Sequence, residues 1–296
     1  MKLCALDVIW YDLPVADRLK RIKELGFAGV QCWLNSAELG FNVEREWPTG
    51  FQPSPMAMSK KEMMRIVEDL ELKIPAYGQY TITGPMKVLG PTEVLTGSAK
   101  KNRMDDIKKL IDHCAEMGAQ FMISESGGDP EKPEQWKDLV EWMKELTDYA
   151  EKERVVIAME NTRVCLVNND DALIRIVQEI DSKYLKACYD PANDYFPGKD
   201  LPSSVRKLKD YTAIVHAKDT VYGPGKFGMH PDGTWHNPPI GQGSVPWTLL
   251  LDAYKETGYD GYFVIEYSYP FRPMSQTERE TGVMQGKKLL EEWWSA

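Results

Sequence analysis

Residues 155–219 read VVIAMENTRVCLVNNDDALIRIVQEIDSKYLKACYDPANDYFPGKDLPSSVRKLKDYTAIVHAKD. Three times in this stretch a short apolar run meets a polar residue: VVIAME at Glu160, LKACYD at Asp190 and AIVHAKD at His216. Between the runs, apolar residues recur three and four positions apart, the spacing of a helix lying on a sheet. The same alternation continues outward in both directions. Strands are predicted at 3–10, 29–34, 74–80, 120–124, 155–160, 186–190, 213–216 and 262–267, and helices at 15–25, 60–72, 100–117, 133–152, 172–180, 202–208, 247–257 and 278–294. Strict βα alternation implies parallel strands with right-handed crossovers, and eight such units in a chain of this length close into a (β/α)₈ TIM barrel. Gly26, Gly118 and Gly258 stand where a helix would end on a left-handed residue before the next strand. An open doubly wound sheet is the alternative, because strand order is not written in sequence. No linker or low-complexity tract divides the chain, so residues 1–296 are read as one α/β domain.

Composition narrows the function classes. The 296 residues carry 36 Lys+Arg against 45 Asp+Glu, a net charge of −9, which argues against general nucleic-acid binding through clustered basic residues. No apolar run is long enough to span a bilayer, and the N-terminus lacks the pattern of a cleaved signal, so a cytoplasmic, non-membrane protein is expected. The five cysteines are scattered and odd in number, which reads as free thiols.

Four polar residues occupy equivalent places at the ends of the last four strands: Glu160, Asp190, His216 and Glu266, the last in YFVIEYSY. Two residues before each, on the same strand face, stand Ala158, Cys188, Ile214 and Val264. The apolar set would fill the barrel interior, with the polar set one layer above it. Three carboxylates in one low-dielectric pocket require positive charge, because like charges raise one another's pKa and burial is costly for each ion. A divalent metal is the simplest source. The mostly oxygen ligand set favours Mn²⁺ or Mg²⁺, and the imidazole also admits Co²⁺, Fe²⁺ or Zn²⁺. The alternative is that Lys218, two residues past His216, neutralises part of the cluster without a metal.

A dication held between two glutamates suits chemistry on a 2-hydroxy-ketone. The metal would polarise the carbonyl and stabilise an enediolate, while one glutamate removes a proton and the other returns it. No dinucleotide-binding glycine pattern and no Walker A loop signals another cofactor.

The segments MENT (159–162), YDPAN (189–193), VHAKD (215–219), IGQGSV (240–245) and GYDGYFVIE (258–266) resemble the sugar phosphate isomerase/epimerase family, the xylose isomerase-like TIM barrels. The resemblance implies Glu160, Asp190, His216 and Glu266 as metal ligands, with Glu160 and Glu266 as the acid/base pair. It also matches Lys218 to the lysine of the family's H-x-K-D motif. Asn193 stands where ketose 3-epimerases of the family carry a histidine, and it and Lys218 are read as substrate contacts.

Other candidates surround this set. Glu125 ends the fourth strand and could accept a substrate hydroxyl or cap its loop. Trp10, Trp33 and Tyr80 follow the first three strands, where Trp10 and Trp33 are read as aromatic walls for the C–H face of a sugar. Connections 36–59 and 221–245 exceed ordinary βα loops, and the second carries His230 and His236 as possible substrate contacts. The stripe Leu289, Leu290, Trp293 and Trp294 reads as barrel packing or a subunit contact.

The expectation is therefore a metal-dependent isomerase or epimerase of a small keto-sugar or related polyol ketone, working as a homodimer or homotetramer by family analogy. Its nearest rival is a dehydratase or lyase acting on a keto-sugar, keto-inositol or 3-keto-glycoside through the same enediolate. An abasic-site endonuclease shares the fold, but four histidines and the acidic charge are poorly suited to several zinc ions and a DNA groove.

Overall fold

The computed structural model describes residues 1–32, 59–84, 91–223, 226–227, 237–267 and 274–296. Its barrel strands are β1 (Lys2–Leu6), β2 (Gly29–Cys32), β3 (Lys73–Thr81), β4 (Phe121–Glu125), β5 (Val156–Glu160), β6 (Leu185–Tyr189) and β7 (Thr212–Ala217). An antiparallel pair of two-residue strands, β8 (Tyr222–Gly223) and β9 (Lys226–Phe227), precedes the eighth barrel strand, β10 (Tyr262–Ile265). The order β1-β10-β7-β6-β5-β4-β3-β2 closes on itself with every barrel pairing parallel. An open sheet is excluded, because each of the eight strands is paired on both sides and none is an edge.

The outer layer comprises α1 (Val15–Glu24), α2 (Lys60–Asp69), α3 (Gly97–Glu116), α4 (Trp136–Glu153), α5 (Asp170–Ile180), α6 (Pro191–Asp194), α7 (Leu201–Lys207), α8 (Trp247–Glu256) and α9 (Gln276–Ser295). Local chemistry explains several starts. Asn169 accepts the amide hydrogen of Ala172 ahead of α5, and Ser275 with Glu278 forms a capping box ahead of α9. Gly26, Gly118 and Gly258 have φ of +74°, +68° and +70°, the left-handed exits read from the sequence. Ala158, Cys188, Ile214 and Val264 are completely buried, which forms an apolar layer inside the barrel. The five cysteines are buried and free, and no described helix is long and apolar enough to cross a membrane.

The first strand is shorter than its sequence suggests. The run LCALDVIW is apolar almost throughout and reads as one strand to Trp10, yet β1 stops at Leu6 and a 3₁₀ turn spans Asp7–Trp10. Tertiary contacts decide the matter. The Arg18 guanidinium pairs with buried Asp7 at 3.4 Å and donates to the carbonyls of Leu13 and Tyr11, which folds the chain back after the strand. Arg279 of α9 donates to the carbonyls of Ile9 and Met274, each at 2.6 Å, and to Asp12. Glu280 accepts from the Trp10 indole at 2.8 Å and from two Arg21 nitrogens at 2.8 and 2.7 Å. The last helix thus ties down the first βα turn. The stripe near its end also packs inward: Leu290 is buried, and the Trp294 ring meets Phe263 edge-on at 5.8 Å.

This tie is acid-sensitive. The Arg21 hydrogen bonds hold the Glu280 carboxyl well below its ordinary value, from 4.5 down to about 2. A carboxyl depressed on folding stabilises the native state above pH 4.5, and the contribution disappears as pH falls from there toward 2. Thermal unfolding of wild type and Glu280→Gln should differ at pH 6, with the gap narrowing as the pH is lowered to 3. A gap of equal size at both values would refute the assignment.

Candidate active site at the barrel mouth

The sequence brings its four strand-end residues together. Glu160 is the last residue of β5, Asp190 follows β6, His216 lies one residue before the end of β7, and Glu266 follows β10. One side-chain ligand atom from each lies within 4.8 Å of the others. It is the one grouping of three or more possible metal ligands among the described residues. Glu160, Asp190 and His216 are buried, while the Glu266 side chain keeps 12% of its surface exposed and so faces the opening.

Neighbours hold these residues in turn. Gln31 of β2, itself buried, lies with its Oε1 3.0 Å from His216 Nε2, which leaves Nδ1 directed at the carboxylates. Nδ1 is 3.2 Å from Glu160 Oε1 and 3.6 Å from Glu266 Oε2, so the buried imidazole faces both carboxylates. Burial on its own lowers the imidazole pKa, but the surrounding acidic groups, Cys188 and Glu160, reverse this and raise it well above its usual value. Asp190 Oδ1 caps α6 by accepting from the backbone of Ala192 and Asn193 at 2.8 and 3.1 Å, which turns Oδ2 toward the centre. Lys218 Nζ approaches that Oδ2 to 2.6 Å and Glu266 Oε2 to 3.4 Å. Burial opposes the charge on Lys218, and Asp190 followed by Glu266 outweighs it, so its pKa is raised.

Both sequence readings of the charge balance therefore have a structural counterpart. Lys218 is paired with two of the carboxylates, and the His216 imidazole lies with all three of them at ligand spacing. Three oxygen donors and one nitrogen donor, with a second-layer partner on His216, suit a divalent cation.

The remaining candidates fall at different distances from this centre. Glu125 ends β4 beside Glu160, paired with it in strand register, half-buried at the mouth and within 3.5 Å of the Thr81 hydroxyl. Asn193 donates to Glu160 Oε1 at 3.2 Å and to the Asn161 carbonyl at 3.0 Å. Trp10 is fully buried against α9 through its bond to Glu280, so it offers no exposed face on which a sugar could stack. Trp33, His230 and His236, and the side chain of Tyr80, lie outside the described residues.

Three residues with a part in the site were not singled out in the sequence. Gln31 interrupts the apolar run GVQCW much as His216 interrupts its own, and that signal was available. Asn161 binds both the N–H and the carbonyl of Asp190, each at 2.9 Å. Asp219 accepts four backbone N–H groups, from Thr220 at 2.8 Å, Gly241 at 2.9 Å, and Gly243 and Val245 each at 3.0 Å. It thereby gathers the IGQGSV segment beside the lysine.

Comparison with known proteins agrees with this architecture. The IOLI protein, whose crystal structure holds a zinc atom, superposes with a TM-score of 0.75 at 18% identity, covering 100% of this chain and 98% of that one. D-Psicose 3-epimerase from Clostridium cellulolyticum H10, solved with D-tagatose, gives 0.72 at 13% identity over 99% of both chains. At these identities the likeness speaks for the fold. An uncharacterized protein of Methanocaldococcus jannaschii is 24% identical over 218 residues, 70% of this chain and 68% of its own. The family signature described as Xylose isomerase-like TIM barrel matches residues 19–293, and with the closed barrel it places the chain in that family.

Proposed function

We propose that the protein is a divalent-metal-dependent isomerase or epimerase of a small keto-sugar or related polyol ketone. The observation that carries this reading is the cluster of Glu160, Asp190, His216 and Glu266 at ligand spacing above an apolar barrel interior. The sugar epimerase among the structural neighbours, and the neighbour that holds zinc, support it. When bound, the dication supplies Lewis acidity that polarises the ketone and offsets the negative charge of the enediolate.

The residues of the chain supply the rest. Glu266, at the exposed edge of the cluster, is positioned to take a proton from the carbon beside the ketone. Glu160, three strands round the barrel at the end of β5, returns a proton to the opposite face or, through the enediol, to the neighbouring carbon. Lys218 holds Asp190 and Glu266 by charge and lies where it would face the oxygen that becomes anionic. Glu125 is placed to accept a hydroxyl further along the substrate. Trp10 has no part in this reading.

Incubating metal-loaded protein with unphosphorylated and phosphorylated ketoses in deuterated water tests the proposal. Isomerisation or epimerisation predicts deuterium at the reacting carbon with composition retained, and loss of activity with a chelator. Loss of water or of an aglycone would instead show the elimination chemistry of a dehydratase or lyase. Turnover indifferent to chelation, in protein free of metal by elemental analysis, would overturn the mechanism.

A further inference from the structure

Asn161 and Asn193 make a reciprocal set of bonds between the ends of β5 and β6. The Asn161 side chain receives the Asp190 N–H and donates to the Asp190 carbonyl, both at 2.9 Å, which fixes the backbone of one acidic residue. Asn193, on the helical turn that Asp190 caps, reaches back to Glu160 Oε1 at 3.2 Å and to the Asn161 carbonyl at 3.0 Å. Each asparagine follows one carboxylate in sequence and restrains the other. We propose that the pair is a latch that sets Glu160 and Asp190 in their orientation for the dication, and that Asn193 is a positioning residue for the metal centre. The inference rests on the metal reading above.

The donor inventory carries the argument. A side-chain amide has two N–H groups and one carbonyl oxygen. The two contacts of Asn193 account for both N–H groups, so only its Oδ1, an acceptor, is left for a substrate hydroxyl. The choice of a neutral amide is also informative. A cationic side chain at the same place would hold Glu160 equally well, yet it would add repulsion against an incoming dication. An amide restrains the carboxylate while leaving the negative charge of the pocket intact. Asn161 is completely buried and Asn193 half-buried, so water competes weakly for these bonds.

Titration of the metal-free protein with Mn²⁺ by calorimetry tests the latch. Removing an outer partner of a metal ligand typically lowers affinity about 10–100-fold, and Asn193→Ala is expected to fall in that range. The metal-free form should lose less free energy of unfolding than the variant loses in Mn²⁺ binding, and the visible absorption bands of bound Co²⁺ should change because one carboxylate has lost its restraint. Asn193→Ser, which keeps a polar group on α6, is expected to behave alike and serves if the alanine variant does not fold. Wild-type Mn²⁺ affinity in both variants would overturn the latch alone. A loss of affinity matched by an equal loss of metal-free stability would reduce Asn193 to a structural role and overturn it too. A wild-type protein that takes up no Mn²⁺ would overturn the metal reading and the latch with it.

Discussion

Glu266→Gln is expected to lower turnover by roughly 10²–10⁴-fold, the usual contribution of a positioned general base, while leaving the fold and most metal uptake in place. The substitution keeps the size of the side chain and one oxygen for the cation. It removes the ability to hold a proton. The Glu266 side chain is the most exposed member of the cluster, with its Oε2 3.4 Å from Lys218 Nζ and 3.6 Å from His216 Nδ1, so an uncharged amide there disturbs no tightly packed neighbour. Glu160→Gln gives a useful contrast. It lies deeper and accepts the Asn193 amide, so that variant should lose metal affinity as well as turnover. Elemental analysis of the metal content, run beside kcat, separates the two losses. Unchanged turnover in Glu266→Gln would exclude it as the base and favour a barrel that binds sugar without reacting it.

The barrel and the four-residue cluster were legible because both rest on periodicities that sequence displays. A strand shows one face every second residue, so Ala158 beneath Glu160 and Ile214 beneath His216 could be placed before any coordinates. Lys218 could be placed by the same count. Contacts that depend on where a short polar side chain turns were not legible. Asn193 has the same spacing from Asp190 whether its amide faces a substrate or Glu160, and only the fold shows it turned to Glu160. Trp10 failed for a related reason. A run of apolar residues fits both a continuing strand and a tight turn, and the choice was made by Arg18, Arg279 and Glu280, two of which lie at the far end of the chain. Gln31 is different in kind, since a polar residue inside an apolar strand is itself a signal, and it proved to pair with His216 Nε2.

Asp219→Asn should destabilise the protein nearly as much as Asp219→Ala, although it is close to isosteric. The carboxylate is buried and its two oxygens each accept two backbone N–H groups: Oδ1 those of Thr220 and Val245, Oδ2 those of Gly241 and Gly243. Burial raises the Asp219 pKa above the ordinary carboxylate value, and the four N–H groups, led by Val245, act against it. Asparagine replaces one oxygen by an NH₂ group that would point its hydrogens at two N–H donors. Those donors lose an acceptor inside the protein, at about 1–3 kcal/mol for each buried group. The expected cost is therefore on the order of 3 kcal/mol or more, equivalent to roughly 5–10 °C in Tm for a chain of this size. The loop cannot easily move aside. A Cβ at Gly243 would already collide with the carboxylate, and the Trp247 indole at the start of α8 donates to the Lys218 carbonyl at 3.1 Å. Turnover should fall with stability, because Lys218 is anchored by the same segment that Asp219 gathers. Denaturant unfolding of both variants at pH 7 is the measurement. A loss below about 0.5 kcal/mol for Asp219→Asn, the range of an ordinary surface substitution, would show that the loop holds its shape without the charge.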